Sequence, residues 1–284
     1  MKVSIIPNPT RANAKDVTLE LCTALRQYQI DYVLPERLRE FFPTENTDRF
    51  VPEDALFDDC EIVMPVGGDG SVIRSAKKAA AYSKKILGVN AGHLAYLCGL
   101  DVEELSLLKS LLDGSYSVQK RMLLQAETIE NNVIKQTYLC MNDIVFCRGK
   151  TIGMIDLSVS ANDKRIADYL ADGLILATPT GSTAYSLSAG GPIVEPTLEA
   201  ILLTPICPHT LAFRPYIFAP DTVFKVHARK KNEQTDICFT CDGEETIPLS
   251  EDCVVRVFKS DISVDFISIT NDNFIDVLNK KTRN

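Results

Sequence analysis

The sequence predicts an α/β protein with an added β-rich domain: an N-terminal doubly wound, mostly parallel sheet, followed by a mainly antiparallel unit. In the first third of the chain, short apolar runs alternate with segments of helical periodicity, and strands separated by helices form parallel sheets. After about Tyr116, β-rich runs follow one another with turn formers between them, as in antiparallel sheets. We therefore expect domains at 1–115 and 116–264, with the tail 265–284 packed back on the first.

The N-terminal elements are expected to alternate in type along the chain. Short apolar runs predict strands at Val3–Ile6, Glu61–Val66 and Ile86–Val89. Apolar residues at helical spacing predict helices at Asp16–Tyr28, Val72–Tyr82 and Val102–Leu112. Helical character returns only at Asn273–Lys280, and this return is the reason for assigning the tail to the first domain.

The second domain is expected to consist of strands joined by tight turns. Runs of β-forming residues lie at Ser117–Arg121, Leu124–Ile129, Val133–Val145, Met154–Ser160, Thr222–Ala228, Ile237–Thr240 and Cys253–Phe258. Turn-forming pairs separate some of them, at Asn131-Asn132, Asn162-Asp163 and Asp242-Gly243. A further short strand is expected just after Ala171, before a loop rich in Ser and Thr.

The composition excludes several classes of protein. With 30 Lys and Arg against 38 Asp and Glu, the formal charge is −8, which argues against a nucleic-acid binder. The uncharged stretch Gly173–Val194 contains two prolines and many hydroxyl groups, so it does not predict a membrane span.

The start of the chain has the pattern of a first strand and not of a signal peptide, and nine scattered cysteines are typical of a reduced, cytoplasmic protein. Cys238 and Cys241 form a C-x-x-C without a second pair, so we interpret them as buried apolar residues rather than zinc ligands or a redox motif.

The first candidate site is the segment Gly67–Ser71, which follows an apolar strand and precedes a helix. Glycines let the backbone approach a ligand closely, and the N–H groups at the start of a helix attract anions. Phosphate is therefore the expected ligand. Asp69 inside this loop would repel phosphate unless it holds a metal ion or takes a proton from a nucleophile. The alternative is a tight Asp-Gly turn in which Asp69 caps the helix.

The second candidate site is the segment Ala171–Tyr185, where a short strand enters a loop crowded with hydroxyl groups and backbone donors but without charge. Such a surface suits a neutral polar moiety such as a purine with its ribose. The alternative is a Ser/Thr-rich turn that leads into a helix.

Two weaker signals accompany these segments. Asn142 and Asp143 precede an apolar strand, where their acceptors would suit ribose hydroxyls, although the pattern read alone favours a simple turn. His93 and Tyr96 follow a predicted strand at the carboxyl edge of the sheet, where α/β proteins bind ligands. The three histidines have no metal-ligand spacing, so no metal ligand is predicted from them.

Taken together, these motifs resemble the NAD kinase family, which makes NADP with ATP or polyphosphate as donor. The matching segments occur in the family's order at Gly67–Ser71, Gly92–Leu97, Asn142-Asp143, Asp172–Tyr185, Ser188–Pro192 and Pro208–Pro215. The Gly-Gly-Asp-Gly loop is shared with diacylglycerol, sphingosine and 6-phosphofructo-kinases, whereas the Asp172–Tyr185 stretch is much more specific.

The resemblance implies a role for each matching residue. Asp69 would be the general base for the 2′-hydroxyl of the adenosine ribose, and Gly67, Gly68, Gly70 and Ser71 would surround the phosphate donor. Residues implied to bind NAD are His93, Tyr96, Asn142, Asp143, Asp172, Thr183, Ala184, Tyr185 and Ser188. The resemblance further implies NAD and ATP as substrates, Mg²⁺ or another divalent ion on the donor phosphates, and a homodimer or homotetramer in which Asp172 can reach a neighbouring subunit's pocket.

The chain departs from the family pattern at three places in the implied site, of which Ser71 in place of the commoner Thr should matter little. The family usually has Glu where Asp143 stands, and usually has Gly-Phe where Ala95-Tyr96 stand. These changes are expected to shift ribose geometry or substrate preference rather than abolish activity. Two other functions remain open on the sequence: a lipid or sugar kinase with the same loop, and a non-catalytic module that senses NAD or NADP.

Overall fold

The computed structural model describes residues 1–92, 95–149, 153–210, 213–229, 236–270 and 274–282. It divides into two compact units: Met1–Lys120 together with Val264–Asn284, and Arg121–Ser263. Within the described ranges, no helix combines the length and the apolar character that crossing a lipid bilayer requires.

The first unit alternates strands and helices as the sequence predicts. Its elements in chain order are β1 (Lys2–Pro7), α1 (Ala14–Gln27), β2 (Asp31–Pro35), β3 (Phe50–Val51), β4 (Ile62–Gly67), α2 (Asp69–Ala81), β5 (Lys85–Ile86), β6 (Gly88–Asn90), β7 (Cys98–Leu100) and α3 (Ser110–Asp113). Short 3₁₀ turns lie at Glu36–Phe41, Thr47–Arg49, Asp54–Leu56 and Val102–Lys109.

The sheet of the first unit is parallel throughout its described pairings. β1 lies between β2 and β4, β3 extends the sheet beyond β2, and both β5 and β6 pair with β4. β7 pairs with β6. Because parallel strands end at the same edge, the segments after β1, β4 and β6 come together there, and ligand sites of α/β sheets lie at this edge.

Apolar side chains from the sheet and from α1 form one core. On α1, Leu21 and Leu25 are fully buried, as the helical spacing of the apolar residues requires. They pack with the sheet residues Val3, Ile5 and Met64. The core therefore fixes β1 and β4, the two strands that lead into the segments at the carboxyl edge.

Several predicted elements in this unit differ in detail from the observed ones. α2 begins at Asp69 rather than at residue 72, so residues 69–71 of the glycine-rich segment lie in the first helical turn. The predicted strand Ile86–Val89 is two short strands, β5 and β6, which pair with different parts of β4. The predicted helix Val102–Leu112 is a 3₁₀ segment over Val102–Lys109 followed by the short α3. The strand β2 was not predicted, although its Tyr-Val-Leu run is buried.

The second unit is built almost entirely from strands. The elements in chain order are β8 (Ser117–Glu130), β9 (Val133–Cys140), β10 (Asp143–Arg148), β11 (Ile155–Ala161), β12 (Lys164–Ala171), β13 (Gly173–Ala177), α4 (Tyr185–Ser188), β14 (Ile201–Ile206), β15 (Tyr216–Phe218), β16 (Phe224–Arg229), β17 (Ile237–Cys241), β18 (Thr246–Pro248) and β19 (Val254–Ser268). A 3₁₀ turn at Thr180–Thr183 precedes α4.

Two antiparallel arrangements enclose the core of this unit. One sheet has the order β15-β14-β13-β10-β17-β18, and the other pairs β12, β11, β16 and the first part of β19. Both contribute fully buried side chains to a single cluster, among them Phe146, Leu174, Phe239, Leu157 and Phe224. The strand starts and loops around β10 and β13 are therefore held by a rigid support.

The turn predictions for the second unit are confirmed by backbone conformation. Both residues of Asn131-Asn132, Asn162-Asp163 and Asp242-Gly243 have positive φ, between 48° and 65°. Such left-handed pairs match the twist of the strands that they connect. The predicted run Val133–Val145 is broken at Met141-Asn142 into β9 and β10, which pair with different strands. Cys238 and Cys241 are buried in β17, as expected, and none of the nine cysteines, all of which lie in the described ranges, forms a disulfide.

The last segment of the chain belongs to the first unit in the contact division. Phe266, near the end of β19, pairs in parallel with Ile86 of β5. Ile267 and Ile269 are buried in the core of the first unit. A final helix, α5 (Phe274–Thr282), follows.

Candidate functional site

The glycine-rich segment joins β4 to α2 at the carboxyl edge of the parallel sheet. Gly67 is the last residue of β4, Gly68 is the N-cap of α2, and Asp69 opens the helix. A side chain at Gly67 would put its Cβ 2.5 Å from the Ser71 Oγ, so only glycine fits there. The half-buried and exposed backbone at residues 68–70 leaves the start of α2 open to an anion.

Asp69 uses both carboxylate oxygens to hold a neighbouring segment. Oδ2 accepts the backbone N–H of Tyr96 at 2.9 Å, and Oδ1 accepts that of Leu97 at 2.8 Å. The alternative prediction that Asp69 caps α2 is wrong, because Gly68 occupies the N-cap and the Asp69 side chain points to residues 96–97. A carboxylate oxygen has two lone pairs, so each one retains an acceptor position for a further donor.

Asn8 belongs to this site and was not predicted from the sequence. It follows β1 at the same sheet edge, and its Nδ2 donates to the Ser71 Oγ at 2.9 Å. Its Oδ1 accepts the backbone N–H and the hydroxyl of Thr10 at 3.2 and 2.8 Å. Asn8 therefore orients the Ser71 hydroxyl, and its position directly after the first strand was the signal that could have identified it.

In the second unit, the Asn142-Asp143 motif and the loop after β13 lie directly against each other. Thr178 donates its backbone N–H to the Asn142 carbonyl at 2.8 Å and its hydroxyl to the Met141 carbonyl at 2.6 Å. The Thr178 Oγ1 in turn accepts the Gly181 N–H at 3.0 Å. A Cβ at Gly181 would lie 2.1 Å from the Asn142 carbonyl oxygen, so the close approach requires glycine.

Asp143 opens β10 with a carboxyl group that is almost completely enclosed, since the residue is 5% exposed. Burial, together with the charge of Asp242, raises the pKa of Asp143 to about 7, and the backbone N–H of Tyr185 opposes this shift by bonding to the carboxylate. The contact between Asp143 and Tyr185 brings together two motifs that the sequence analysis assigned to the same ligand.

Asp242 is a second residue that the sequence analysis did not assign to the site. Its carboxylate accepts the backbone N–H groups of Met141 at 2.9 Å, of Asn142 at 2.6 Å and of Asp143 at 3.3 Å. The sequence predicted only a turn at Asp242-Gly243, because the segment that Asp242 holds lies about a hundred positions earlier.

The remaining predicted residues differ in their exposure. Tyr185 is 46% exposed, Ser188 is exposed, and Thr183 and Ala184 are half-buried. Two other hydroxyls of this loop are structural. The Ser182 Oγ bonds to the backbone of Val194, and the Ser186 Oγ bonds to the hydroxyl of Thr204.

Asp172 and His93 complete the set of predicted side chains. Asp172 is half-exposed and forms an ion pair of 3.0 Å with Arg148. His93 lies outside the described residues, as do Leu211 and Ala212 of the predicted Pro208–Pro215 motif. In the part of the chain that the structure describes, no three His, Cys, Asp or Glu residues cluster as metal ligands would.

A parallel sheet with a glycine-rich helix start in one unit, and an antiparallel unit with a polar uncharged loop, are the features expected of a kinase that acts on a nucleotide-like substrate. Comparison with known proteins narrows this class. The ATP-NAD kinase N-terminal domain matches residues 3–116, and the ATP-NAD kinase C-terminal domain matches residues 141–269. The chain belongs to the NAD kinase family.

Individual relatives agree with this assignment. An NAD kinase of Caldanaerobacter subterraneus subsp. tengcongensis is 36% identical over 281 residues, which cover 99% of this chain and 98% of the relative. The crystal structure of yeast NADH kinase complexed with NADH has a TM-score of 0.85 at 24% identity, covering 99% of this chain and 87% of that one. An NAD kinase from Archaeoglobus fulgidus in complex with ATP has a TM-score of 0.72 at 24% identity, covering 100% and 99%.

Proposed function

We propose that this protein transfers the terminal phosphoryl group of ATP to the 2′-hydroxyl of the adenosine ribose of NAD, giving NADP. Membership of the NAD kinase family supports the reaction. The observation that carries the proposal in this chain is an acid, Asp69, held in the first turn of a helix whose glycine-rich start suits phosphate. A carboxylate at that position can accept a proton during phosphoryl transfer, whereas in a site that only binds phosphate it would repel the ligand.

On the donor side, the backbone of Gly67, Gly68 and Gly70 leaves room for the phosphates, with Ser71 oriented by Asn8. A divalent ion such as Mg²⁺ enters with the donor, because such ions are commonly held by substrate phosphates and water with few protein ligands. The described residues fit this mode, since they offer single carboxylates rather than a ligand cluster. When bound, the ion neutralises charge on the phosphates.

Asp69 is assigned the role of general base. Its two oxygens are fixed by the N–H groups of Tyr96 and Leu97, so the carboxylate cannot rotate away from the loop. A remaining lone pair accepts the proton of the ribose hydroxyl as the new O–P bond forms and ADP departs. Fixed orientation of this kind contributes to catalysis because the reacting groups need no further reorganisation.

On the acceptor side, Asn142 and Asp143 are assigned to the ribose, and Thr183, Ala184, Tyr185 and Ser188 to the adenine. The contact between the Tyr185 N–H and the Asp143 carboxylate supports this assignment, since adenine and its ribose are covalently joined. Asp172 is assigned to the lining of the adenine pocket, and Tyr96 and His93 are assigned to NAD binding.

We further propose a cytoplasmic enzyme that forms a homodimer or homotetramer, with no nucleic-acid or membrane partner. Nine cysteines without a disulfide in the described structure suit a reducing compartment. Light scattering during gel filtration measures the number of subunits, and Asp172 from one subunit is expected to line the pocket of another.

The test is transfer of ³²P from the γ-position of ATP to NAD, with NADP as the measured product. The same assay with polyphosphate instead of ATP identifies the phosphoryl donor. The assay with NADH instead of NAD identifies the preferred acceptor. Transfer to fructose 6-phosphate, a sphingoid base or diacylglycerol instead of NAD would identify a sugar or lipid kinase. NAD binding without transfer to any acceptor would identify a sensing module, and either result would overturn the proposal.

A further inference from the structure

Asp242 is bound to the backbone of the segment that opens β10. Its Oδ1 lies 2.6 Å from the Asn142 nitrogen, and its Oδ2 lies 2.9 Å from the Met141 nitrogen. Its own backbone N–H donates to the Asp143 carbonyl at 2.9 Å. A carboxylate that accepts several backbone N–H groups holds them more firmly than neutral acceptors do.

The backbone conformation of Asp242 is what turns its carboxylate towards this segment. In the ladder between β10 and β17, Ile144 is opposite Cys241, so Asp242 comes next to Asp143 where the ladder ends. Asp242 has a φ of 54° and Gly243 a φ of 65°, which reverses the chain directly after β17. Aspartate tolerates the left-handed region better than most residues.

Asp242 also acts on Asp143 through its charge. The groups that influence the Asp143 carboxyl are the Asp242 carboxylate and the Tyr185 backbone N–H, in addition to burial. The nearby negative charge disfavours ionisation of Asp143, whereas the N–H group favours it.

We infer that Asp242 is a positioning residue for the acceptor side of the reaction: its carboxylate fixes the backbone of Asn142 and Asp143 where their side chains meet the acceptor ribose. The inference rests on the proposed function, because it takes NAD as the acceptor. It assigns no contact between Asp242 and the substrate.

The test is Asp242→Asn, which removes the charge and one of the two acceptor oxygens while tolerating the left-handed backbone. Displacement of the Asn142–Asp143 segment by about 1 Å is expected to raise KM for NAD by about 10- to 100-fold, with a smaller change in kcat. KM for ATP should stay at the wild-type value. Because the negative neighbour of Asp143 is gone, the acidic limb of the pH profile of kcat/KM for NAD should move to lower pH.

Two further variants make the result specific. Asp242→Glu keeps the charge but displaces it by one methylene, so KM for NAD should rise while the acidic limb stays in place. Asp163→Asn is the matched control, since Asp163 also occupies a left-handed turn position, with a φ of 62°, and is paired with the exposed Lys225. It should leave KM and the pH profile unchanged.

The outcomes separate this inference from the proposed function. Wild-type protein that does not phosphorylate NAD overturns the proposed function and, with it, the acceptor named here. Active wild-type protein whose Asp242→Asn variant has unchanged KM for NAD and an unchanged pH profile overturns the inference alone. If Asp242→Asn lowers the melting temperature strongly, the Asp242→Glu variant decides: a raised KM for NAD supports the inference, and an unchanged KM for NAD overturns it.

Discussion

At the scale of single residues, Asp69 is assigned two roles: it is the proposed general base, and it binds the backbone of residues 96–97. Asp69→Asn affects both roles at once. Asn has one acceptor oxygen for the two N–H groups of Tyr96 and Leu97. We expect Asp69→Asn to lower kcat by about 10²- to 10⁴-fold, because the base is lost. We also expect it to lower the free energy of unfolding by about 1 kcal/mol, because one half-buried N–H loses its partner. Steady-state kinetics and urea unfolding measure the two effects.

Asp113→Asn is the matched control for this prediction. The Asp113 carboxylate accepts the backbone N–H of Ser115 at 2.9 Å in the same unit, outside the site. This variant should lose some stability and keep kcat. An Asp69→Asn variant that likewise keeps kcat would identify Asp69 as a structural link between α2 and residues 96–97 and not as the base.

The buried carboxyl of Asp143 predicts a dependence of stability on pH. Its pKa rises from the ordinary 3.8 to about 7 on folding, mainly through burial. The unfolded chain therefore ionises first as the pH rises, so the favourable contribution is full below about pH 4 and is lost by about pH 7. At about 1.4 kcal/mol for each pKa unit, the loss is on the order of 4 kcal/mol.

Asp143→Asn removes this dependence, because the amide stays neutral and its oxygen still accepts the Tyr185 N–H. We expect the variant to gain stability relative to wild type between pH 4 and pH 8, measured as the difference in free energy of unfolding in urea. Asp172→Asn removes a half-exposed carboxyl paired with Arg148 and should gain none. A difference between Asp143→Asn and wild type that is constant with pH would contradict the prediction.

Candidate site residues that form a local sequence motif could be identified from the sequence. Residues that contact the site from a distant part of the chain could not. The glycine-rich loop is a local arrangement of strand, turn and helix, so the sequence located Gly67 and Asp69 at the junction between β4 and the following helix, although that helix begins three residues earlier than predicted. Asn8 and Asp242 act on segments some 60 and 100 positions away, and only the sheet register brings them there. Pattern analysis reports spacing along the chain and therefore does not detect such contacts.

At the scale of elements, two glycines of one loop are expected to respond oppositely to alanine. A Cβ at Gly70 would have the Arg74 Nη1 at 3.9 Å as its neighbour, and alanine favours helix, so Gly70→Ala should stabilise α2 by about 0.5–1 kcal/mol. A Cβ at Gly67 would lie 2.9 Å from the Ser71 Cβ, which cannot move freely within the helix. Gly67→Ala should therefore destabilise the protein by about 1–3 kcal/mol.

Thermal or urea unfolding of both variants checks this pair, with each one serving as the control for the other. Gly67→Ala should also weaken ATP binding, because it moves Ser71 away from Asn8. Equal effects at the two positions would mean that the loop relaxes around an added methyl group.

Most elements could be predicted because their local pattern and their tertiary environment agree. α1 has buried residues at helical spacing on one face, and the three left-handed turns consist of Asn, Asp and Gly. β12 was not predicted, because its sequence, Lys-Arg-Ile-Ala-Asp-Tyr-Leu-Ala, contains good helix formers. Its strand conformation comes from antiparallel pairing with β11, so tertiary context overrides propensity there.

At the scale of the whole molecule, the first unit depends on residues from the end of the sequence. Val264, Phe266, Ile267 and Ile269 are each at most 9% exposed. Burial of one such side chain contributes about 1.5–3 kcal/mol, so together they approach the whole stability of a typical domain. We expect a chain that ends at residue 263 to lose hydrogen-exchange protection throughout β1, β4 and α2, while the strands of the second unit stay protected.

A chain that ends at residue 273 is the control, because it lacks α5 but keeps these four buried side chains. It should retain protection in both units. Full protection of β1 and β4 in the shorter chain would show that the first 120 residues are stable without the tail.

The same arrangement sets an order of events on the ribosome. Ile86 pairs with Val63 of β4 on one side and with Phe266 on the other, so this second side of β5 has no strand partner until the whole of 121–263 has been made. At about 5–20 residues per second, the delay is on the order of ten seconds, far longer than a strand or helix needs to form. The second unit can complete its folding during this interval, whereas the unit that was synthesised first is completed last. The emerging chain thus exposes an unpaired strand edge of the first unit's sheet for most of its synthesis. We expect chaperones to bind the chain mainly during this period.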